Sequence, residues 1–317
     1  MSNPDLPAVD EHVDDHVDVE IAACLNVLNP VSFFLFAGAG SGKTRSLVNA
    51  VGELLKNAGE YFSVRGKRIG VITYTNAACD EIRARLAFNP LVEVSTIHSF
   101  VWELIRGFHA DIRMRIAEML REDINELNEL LKKGRPGTKT EIDRKNSVAS
   151  KMKRLAGLRD IRVFSYNPNG NSTTREALNH AEVIKLGAFF LSGKLLMQSI
   201  LVNKFPFLLI DESQDTNGLL LDSLFAVQSA HRKTFALGLF GDVMQRIYGD
   251  GKVNLGVALP RDWARPVKVM NHRCPKRVVT LINKIRSEVD DKLQKPRPGQ
   301  MDGVVRLFVA KSEAADR

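Results

Sequence analysis

The run Phe33-Phe34-Leu35-Phe36-Ala37-Gly38-Ala39-Gly40-Ser41-Gly42-Lys43-Thr44 constrains the fold more than any other stretch. An apolar segment short enough for a buried strand stops at a loop of small residues. A Lys-Thr pair follows, then a helical pattern with Leu47, Val48, Val51, Leu54 and Leu55 on one face. Small residues let the backbone wind tightly enough to aim successive N–H groups at an anionic oxygen, and the helix N-terminus adds its positive dipole end. The pattern predicts a strand, a phosphate-binding loop and a helix, with Ala37 to Thr44 around a nucleoside triphosphate. Lys43 is expected to reach the terminal phosphates, and the Thr44 hydroxyl to hold Mg²⁺. Ala37 stands where such loops usually open with Gly.

Apolar segments at Ile69–Thr73, Val92–Ser95, Phe205–Ile210 and Phe235–Phe240, separated by helical patterns, predict an α/β chain with a parallel sheet flanked by helices. From Val101 to about Lys204 strands become scarce and helices dominate, with His180 to Ile200 reading as one long apolar helix. This stretch is expected to be a mostly helical insertion. Its basic residues (Lys132, Lys133, Arg135, Arg144, Lys145, Lys151, Lys153, Arg154) suit either a phosphate backbone or a merely solvated face. Near the end, Val304 to Ala310 reads as a strand and Ser312 as a helix cap.

Charge is unevenly placed. Asp5, Asp10, Glu11, Asp14, Asp15, Asp18 and Glu20 crowd the first twenty residues, where Lys and Arg are absent, although the net charge is +8. The remainder is therefore strongly basic, which favours nucleic acid as a partner, and the acidic end is expected to be a disordered tail. The three cysteines, Cys24, Cys79 and Cys274, are scattered in no metal-ligand spacing, as suits reduced thiols in the cytoplasm. The sequence contains no apolar run of membrane-spanning length.

An apolar strand ending in Asp211-Glu212 is the expected second half of a phosphate-loop site. The Asp is placed to hold Mg²⁺ and the Glu to activate water. The longer run Leu208-Leu209-Ile210-Asp211-Glu212-Ser213-Gln214-Asp215-Thr216 resembles the hydrolysis motif of UvrD/Rep-type superfamily 1 helicases, D-E-x-Q-D-T. Other motifs of that family follow in order. Ala37 to Thr44 resembles the first, with Arg45 where the family contacts adenine; Thr73-Tyr74-Thr75-Asn76 and Ser95-Thr96-Ile97-His98-Ser99-Phe100 resemble two that contact DNA. Gly241-Asp242-Val243-Met244-Gln245-Arg246-Ile247-Tyr248 resembles the third numbered motif, and Asn271-His272-Arg273 the fourth, N-Y-R-S.

The resemblance implies a RecA-like P-loop NTPase fold, ATP and Mg²⁺ as cofactors, and hydrolysis in response to single-stranded or partly duplex DNA, with translocation usually 3′ to 5′. It assigns Lys43, Glu212, Gln245 and Arg273 to catalysis, Arg273 as an arginine finger. Gly38, Ala39, Gly40, Ser41, Gly42, Arg45 and His272 join the nucleotide site, Thr44 and Asp211 the metal, and Tyr74, Thr75, Asn76, His98 and Tyr248 the DNA. The implied organisation is an acidic tail at 1–20, an ATP-binding domain 1A at 21–105 and 201–265, a helical insertion 1B at 106–200, and the start of an incomplete second motor domain 2A at 266–317.

There are departures. Residues 10–36 lack the family's adenine-reading Gln, His272 replaces the adenine-stacking Tyr, and Gly249-Asp250-Gly251-Lys252 replaces x-W-R-G, so a base-stacking Trp and its Arg are missing. Those losses motivate an alternative, a non-translocating nucleotide-dependent sensor or assembly subunit that regulates a nuclease or a second motor.

Overall fold

The computed structural model describes residues 12–168, 174–246, 249, 251–252, 255–256 and 259–307. In chain order the elements begin with α1 (Asp15–Cys24), β1 (Phe33–Ala37), α2 (Lys43–Val64), β2 (Ile69–Thr73), α3 (Asn76–Arg85) and β3 (Val92–Thr96). Next come α4 (Ile97–Ile105), α5 (His109–Lys132), α6 (Lys139–Gly157), β4 (Ser165–Tyr166), β5 (Ala177–Leu178), α7 (His180–Gly193) and α8 (Leu195–Lys204). The last are β6 (Phe207–Ile210), α9 (Gly218–Ala230), β7 (Ala236–Gly241), β8 (Val267–Lys268), β9 (Met270–Asn271), α10 (Lys276–Arg286) and β10 (Lys295–Pro296).

Two compact units emerge, one of 1–94, 204–216 and 231–317, the other of 95–203 and 217–230. The first is built on a six-stranded sheet in the order β3-β2-β6-β7-β1-β8. β1 pairs in parallel with β7 and β8, and β6 pairs in parallel with β2 and β7. β2, β6 and β7 are buried at every position, so they read as continuous apolar runs rather than alternating ones. Phe33 and Phe240 meet edge to face at 5.5 Å between neighbouring strands, both fully buried. Gly238 of β7 is required by this packing: a Cβ there would lie 2.5 Å from Leu209 and 2.6 Å from Phe33. The second unit is mostly helical, with α7 against α4 and α9, and α5 against α6.

Several expectations change. The acidic end is not a disordered tail through residue 20, because α1 starts at Asp15 and buries Val17 and Ile21 completely. Two of its acids are structural. Asp14 accepts the backbone N–H groups of Val269 (3.0 Å) and Met270 (2.9 Å). Asp18 accepts from Ser46 and Asn49 and pairs with Lys268 at 2.9 Å. These bonds hold the Asp18 carboxyl below its ordinary pKa even though burial, the largest single influence, pushes it up.

The single long helix expected from His180 is two, α7 and α8, bent by 100° at Lys194. No single described helix is long and apolar enough to cross a membrane. Val304 to Leu307 form no strand, and the rest of that expected strand, with Ser312, lies outside the described residues. Four of the eight basic residues named in the insertion pair with its own acids, as Lys132–Glu129, Lys145–Glu141, Lys151–Asp123 and Arg154–Glu182. The helical compact unit runs from Ser95 to Asn203 with 217–230, and 266–317 groups with the sheet.

Candidate ATP-hydrolysis site

The phosphate loop leaves β1 at its carboxyl end. Gly40 (φ +74°) and Gly42 (φ +84°) sit in the left-handed region, where a side chain would be strained, and Ser41 Oγ donates to the Gly38 carbonyl at 2.7 Å. α2 then starts at Lys43 with no side-chain cap at Gly42, which leaves the N–H groups of its first turn for an anion.

Strand order brings the other groups in. β7 lies between β1 and β6, so the ends of three adjacent parallel strands deliver Lys43 and Thr44, then Gln245, then Asp211 and Glu212. Lys43 is 8 % exposed and its ammonium is held between Gln245 Oε1 (3.3 Å) and Glu212 Oε2 (3.5 Å). Thr44 Oγ1 donates to Asp211 Oδ2 at 3.1 Å. Burial, and then the neighbouring Glu212 charge, raise the Asp211 pKa to about 6, although Thr44, Lys43 and the Glu212 N–H pull the other way. An anionic Asp211 there lacks a full countercharge. A hydroxyl and a carboxylate are the hard oxygen donors that suit Mg²⁺, which is commonly bound by one or two protein groups plus phosphate oxygens. Among the described residues no cluster of three or more His, Cys, Asp or Glu could hold a metal by itself.

Glu212 is held in an unusual backbone conformation, φ 49° and ψ 45°. That turn reverses the chain after β6, and the Glu212 side chain accepts from Gln214 Nε2 at 2.9 Å. Gln214 Oε1 in turn accepts the Asp242 N–H at 3.2 Å. Asp242 then caps the short turn that carries Gln245, accepting the Met244 N–H at 3.1 Å. Its carboxylate also makes a buried two-pronged pair with Arg286 of α10 at 2.9 and 3.2 Å, and Arg286 reaches Asp290 at 2.8 Å. The sequence marked Gln245 but not the Gln214–Asp242–Arg286 chain that supports it, though Gln214 and Asp242 stand inside the motifs.

Arg273 and His272 lie on the far side of the loop. The His272 N–H donates to the Gly40 carbonyl at 2.9 Å, and a Cβ on Gly40 would meet the Arg273 Cβ at 2.7 Å. A cavity of about 300 Å³ beside the loop is lined by Ser41, Gly42, Arg45, His272, Lys268 and Arg297 among others. It brings together the residues expected at the nucleobase. Desolvation pushes the His272 pKa down despite the opposing pull of Asp14, and Lys268, Arg297 and Arg45 lower it further, which favours the neutral ring.

The expected DNA contacts are only partly placed. Tyr74, Thr75 and Asn76 follow the carboxyl end of β2, where Thr75 caps α3 by accepting the Ala78 N–H at 3.1 Å. His98 belongs to the helical unit, its ring 4.8 Å from that of His180, whose Nδ1 is 2.6 Å from the Tyr166 hydroxyl. Tyr248 lies outside the described residues.

With this site in view, residues 22–186 match the family model for the UvrD/REP helicase N-terminal domain. The chain belongs to that family. Among relatives, it is 25% identical to the Gabija protein GajB of Bacillus cereus strain HuB5-5, over 84% of this chain and 49% of that protein. It is 25% identical to the ATP-dependent DNA helicase Rep of Buchnera aphidicola subsp. Baizongia pistaciae, over 88% of this chain and 44% of the relative. A shorter stretch, 31% of this chain and 10% of the relative, is 33% identical to an ATP-dependent helicase/nuclease subunit of Bacillus cereus strain AH187. The chain spans about half the length, or less, of these curated relatives.

Proposed function

We propose that this chain carries the ATP-binding half of a DNA-dependent motor ATPase of UvrD/Rep type, which couples ATP hydrolysis to movement on single-stranded DNA. One observation carries the reading: Lys43, Thr44, Gln245, Asp211 and Glu212 converge within hydrogen-bonding or ion-pairing reach at the ends of three adjacent strands. The loop N–H groups cradle the α- and β-phosphates, and Lys43 reaches the β- and γ-phosphates. Glu212 takes the proton of the attacking water, a role that suits a carboxylate steered by Gln214. Gln245, bonded to Lys43 and mounted on the Asp242 turn, senses the γ-phosphate, and Arg273 places a fixed charge on the transferring phosphoryl group. Thr44 and Asp211 would hold Mg²⁺, which would neutralise charge developing on the phosphates. Tyr74, Thr75, Asn76, His98 and Tyr248 are proposed to face the DNA. A cytoplasmic location is part of the same proposal.

The test is ATP turnover of the polypeptide with and without single-stranded DNA, beside Lys43→Ala and Glu212→Gln. Both substitutions should lower kcat at least about a hundredfold, with ATP binding retained in Glu212→Gln. Turnover that survives both would sink the assignment.

A second reading is favoured by the Gly249-Asp250-Gly251-Lys252 stretch, which lacks the stacking Trp and its Arg. Base stacking contributes about 1–3 kcal/mol per base, so its loss weakens the grip needed to step. One relative is named as part of a helicase/nuclease. In this reading the ATP site regulates docking to a nuclease or second motor. Robust unwinding by this polypeptide alone would exclude it.

A further inference from the structure

The carbonyl of Ala39, in the middle of the phosphate loop, accepts two side-chain amides. Asn271 Nδ2 donates to it at 2.9 Å and Gln294 Nε2 at 3.2 Å. The two amides also bond each other, Asn271 Nδ2 donating to Gln294 Oε1 at 3.0 Å. Asn271 is 0 % exposed and Gln294 4 %, so each bond forms away from water, where a missing partner is costly. Gln294 is itself fixed: its N–H donates to Asn283 Oδ1 and its carbonyl accepts from Asn283 Nδ2, both from α10.

The other end of Asn271 is turned toward the expected finger. Its Oδ1 accepts the N–H groups of Arg273 (3.0 Å) and Cys274 (2.8 Å). One buried side chain therefore ties the backbone of Arg273 to a peptide of the phosphate loop 232 residues away. Two glycines make room for this. A Cβ on Gly38 would sit 2.3 Å from Gln294 Nε2, and one on Gly40 would sit 2.9 Å from Asn271 Oδ1.

We propose that Asn271 is a positioning residue that holds Arg273 in register with the phosphate loop, with Gln294 as its brace. The proposal rests on the ATP-site reading above and adds to it a physical link between the loop and the finger. Loop and finger are then set as a unit: a shift of the Ala39 peptide is carried to Arg273 through one rigid amide. The link acts on the γ-phosphate, which Arg273 meets, and not on the α- and β-phosphates, which the loop holds by its own N–H groups.

The test is a double-mutant cycle of Asn271→Ala with Arg273→Ala, read by kcat and by the affinities for ADP and for adenosine 5′-O-thiotriphosphate. Asn271→Ala should lower kcat by about tenfold to a hundredfold, because a finger displaced by about 1 Å loses that much. It should weaken the thiotriphosphate selectively, with ADP affinity within about threefold of wild type. In the Arg273→Ala background it should have no further effect, since the guanidinium it positions is gone. If Asn271→Ala does not fold, Gln294→Leu, which keeps the volume and removes the donor to Ala39, takes its place in the same cycle with a smaller loss. Equal losses in both backgrounds, or ADP weakened as much as the thiotriphosphate, would overturn the proposal and leave the amides as plain supports of the loop. A wild-type chain that binds neither nucleotide would instead overturn the ATP-site reading and this proposal together.

Discussion

At the scale of single residues, Glu212 shows how a functional side chain is maintained against a local cost. Its φ of 49° places a non-glycine residue in the left-handed region, which costs about 1–2 kcal/mol. The position is kept because the turn after β6 aims the carboxylate back at Lys43, 3.5 Å away. Glu212→Gly and Glu212→Ala both remove the carboxylate, and both should abolish turnover. They should differ in stability: the glycine variant should be more stable than the alanine variant by about 1 kcal/mol, read as a higher urea midpoint at unchanged slope. Equal midpoints would show that the strain is absorbed elsewhere. His272 is a residue-scale departure from the family Tyr, and burial pushes its pKa below the ordinary imidazole value.

At the scale of elements, two contacts matter most. Gly238 lets β7 lie against Leu209 of β6 and Phe33 of β1, and β7 is the strand that delivers Gln245. Gly238→Ala should destabilise by about 1–3 kcal/mol through overpacking, measured by chemical denaturation, and should lower turnover by disturbing the strand end. The second contact is the Asp242–Arg286 pair, with side chains 3 % and 6 % exposed, which joins the Gln245 turn to α10. Arg286→Ala leaves Asp242 buried without its countercharge, at about 3–5 kcal/mol. Asp242→Asn added to that background should restore part of the loss, because the uncompensated charge is then gone. No restoration would mean that Arg286 acts through Asp290 instead.

At the scale of the whole molecule, ligand binding should register as stability. A nucleotide that binds only the folded state adds about 2.7 kcal/mol at a hundredfold excess over its Kd. Mg²⁺ with ATP should therefore raise the thermal midpoint of the wild-type chain, and Lys43→Ala should lose most of that rise. An equal rise in both would place the nucleotide elsewhere.

Much of this was legible in the sequence because each signal was local. The phosphate loop needs glycines at particular left-handed positions, buried strands need unbroken apolar runs, and acids at a strand end need only the next two residues. Hence Ala37 to Thr44, Ile69–Thr73 and Asp211-Glu212 could be read directly, and their roles assigned by family resemblance. What failed was equally specific. Acidic α1 looked like a tail because Asp14 and Asp18 find their partners at Val269, Met270 and Lys268, far along the chain. The helix through Lys194 looked continuous because no Pro marks the bend between α7 and α8. The basic insertion left a phosphate backbone and a solvated face equally open, because partners such as Asp123 for Lys151 and Glu182 for Arg154 lie 28 residues away.

For the phosphate loop itself, the sequence alone determined the strand, the tight loop of small residues and the helix start from Ala37 to Thr44, since glycines at left-handed positions and a helical apolar face suffice for that. Only the tertiary structure decided what surrounds it. Placing β7 between β1 and β6 set Gln245 beside Lys43, and folding 266–307 back onto the same unit put Asn271 and Gln294 on the Ala39 carbonyl. Those contacts are long-range hydrogen bonds between single polar atoms, and no local pattern of side chains encodes them.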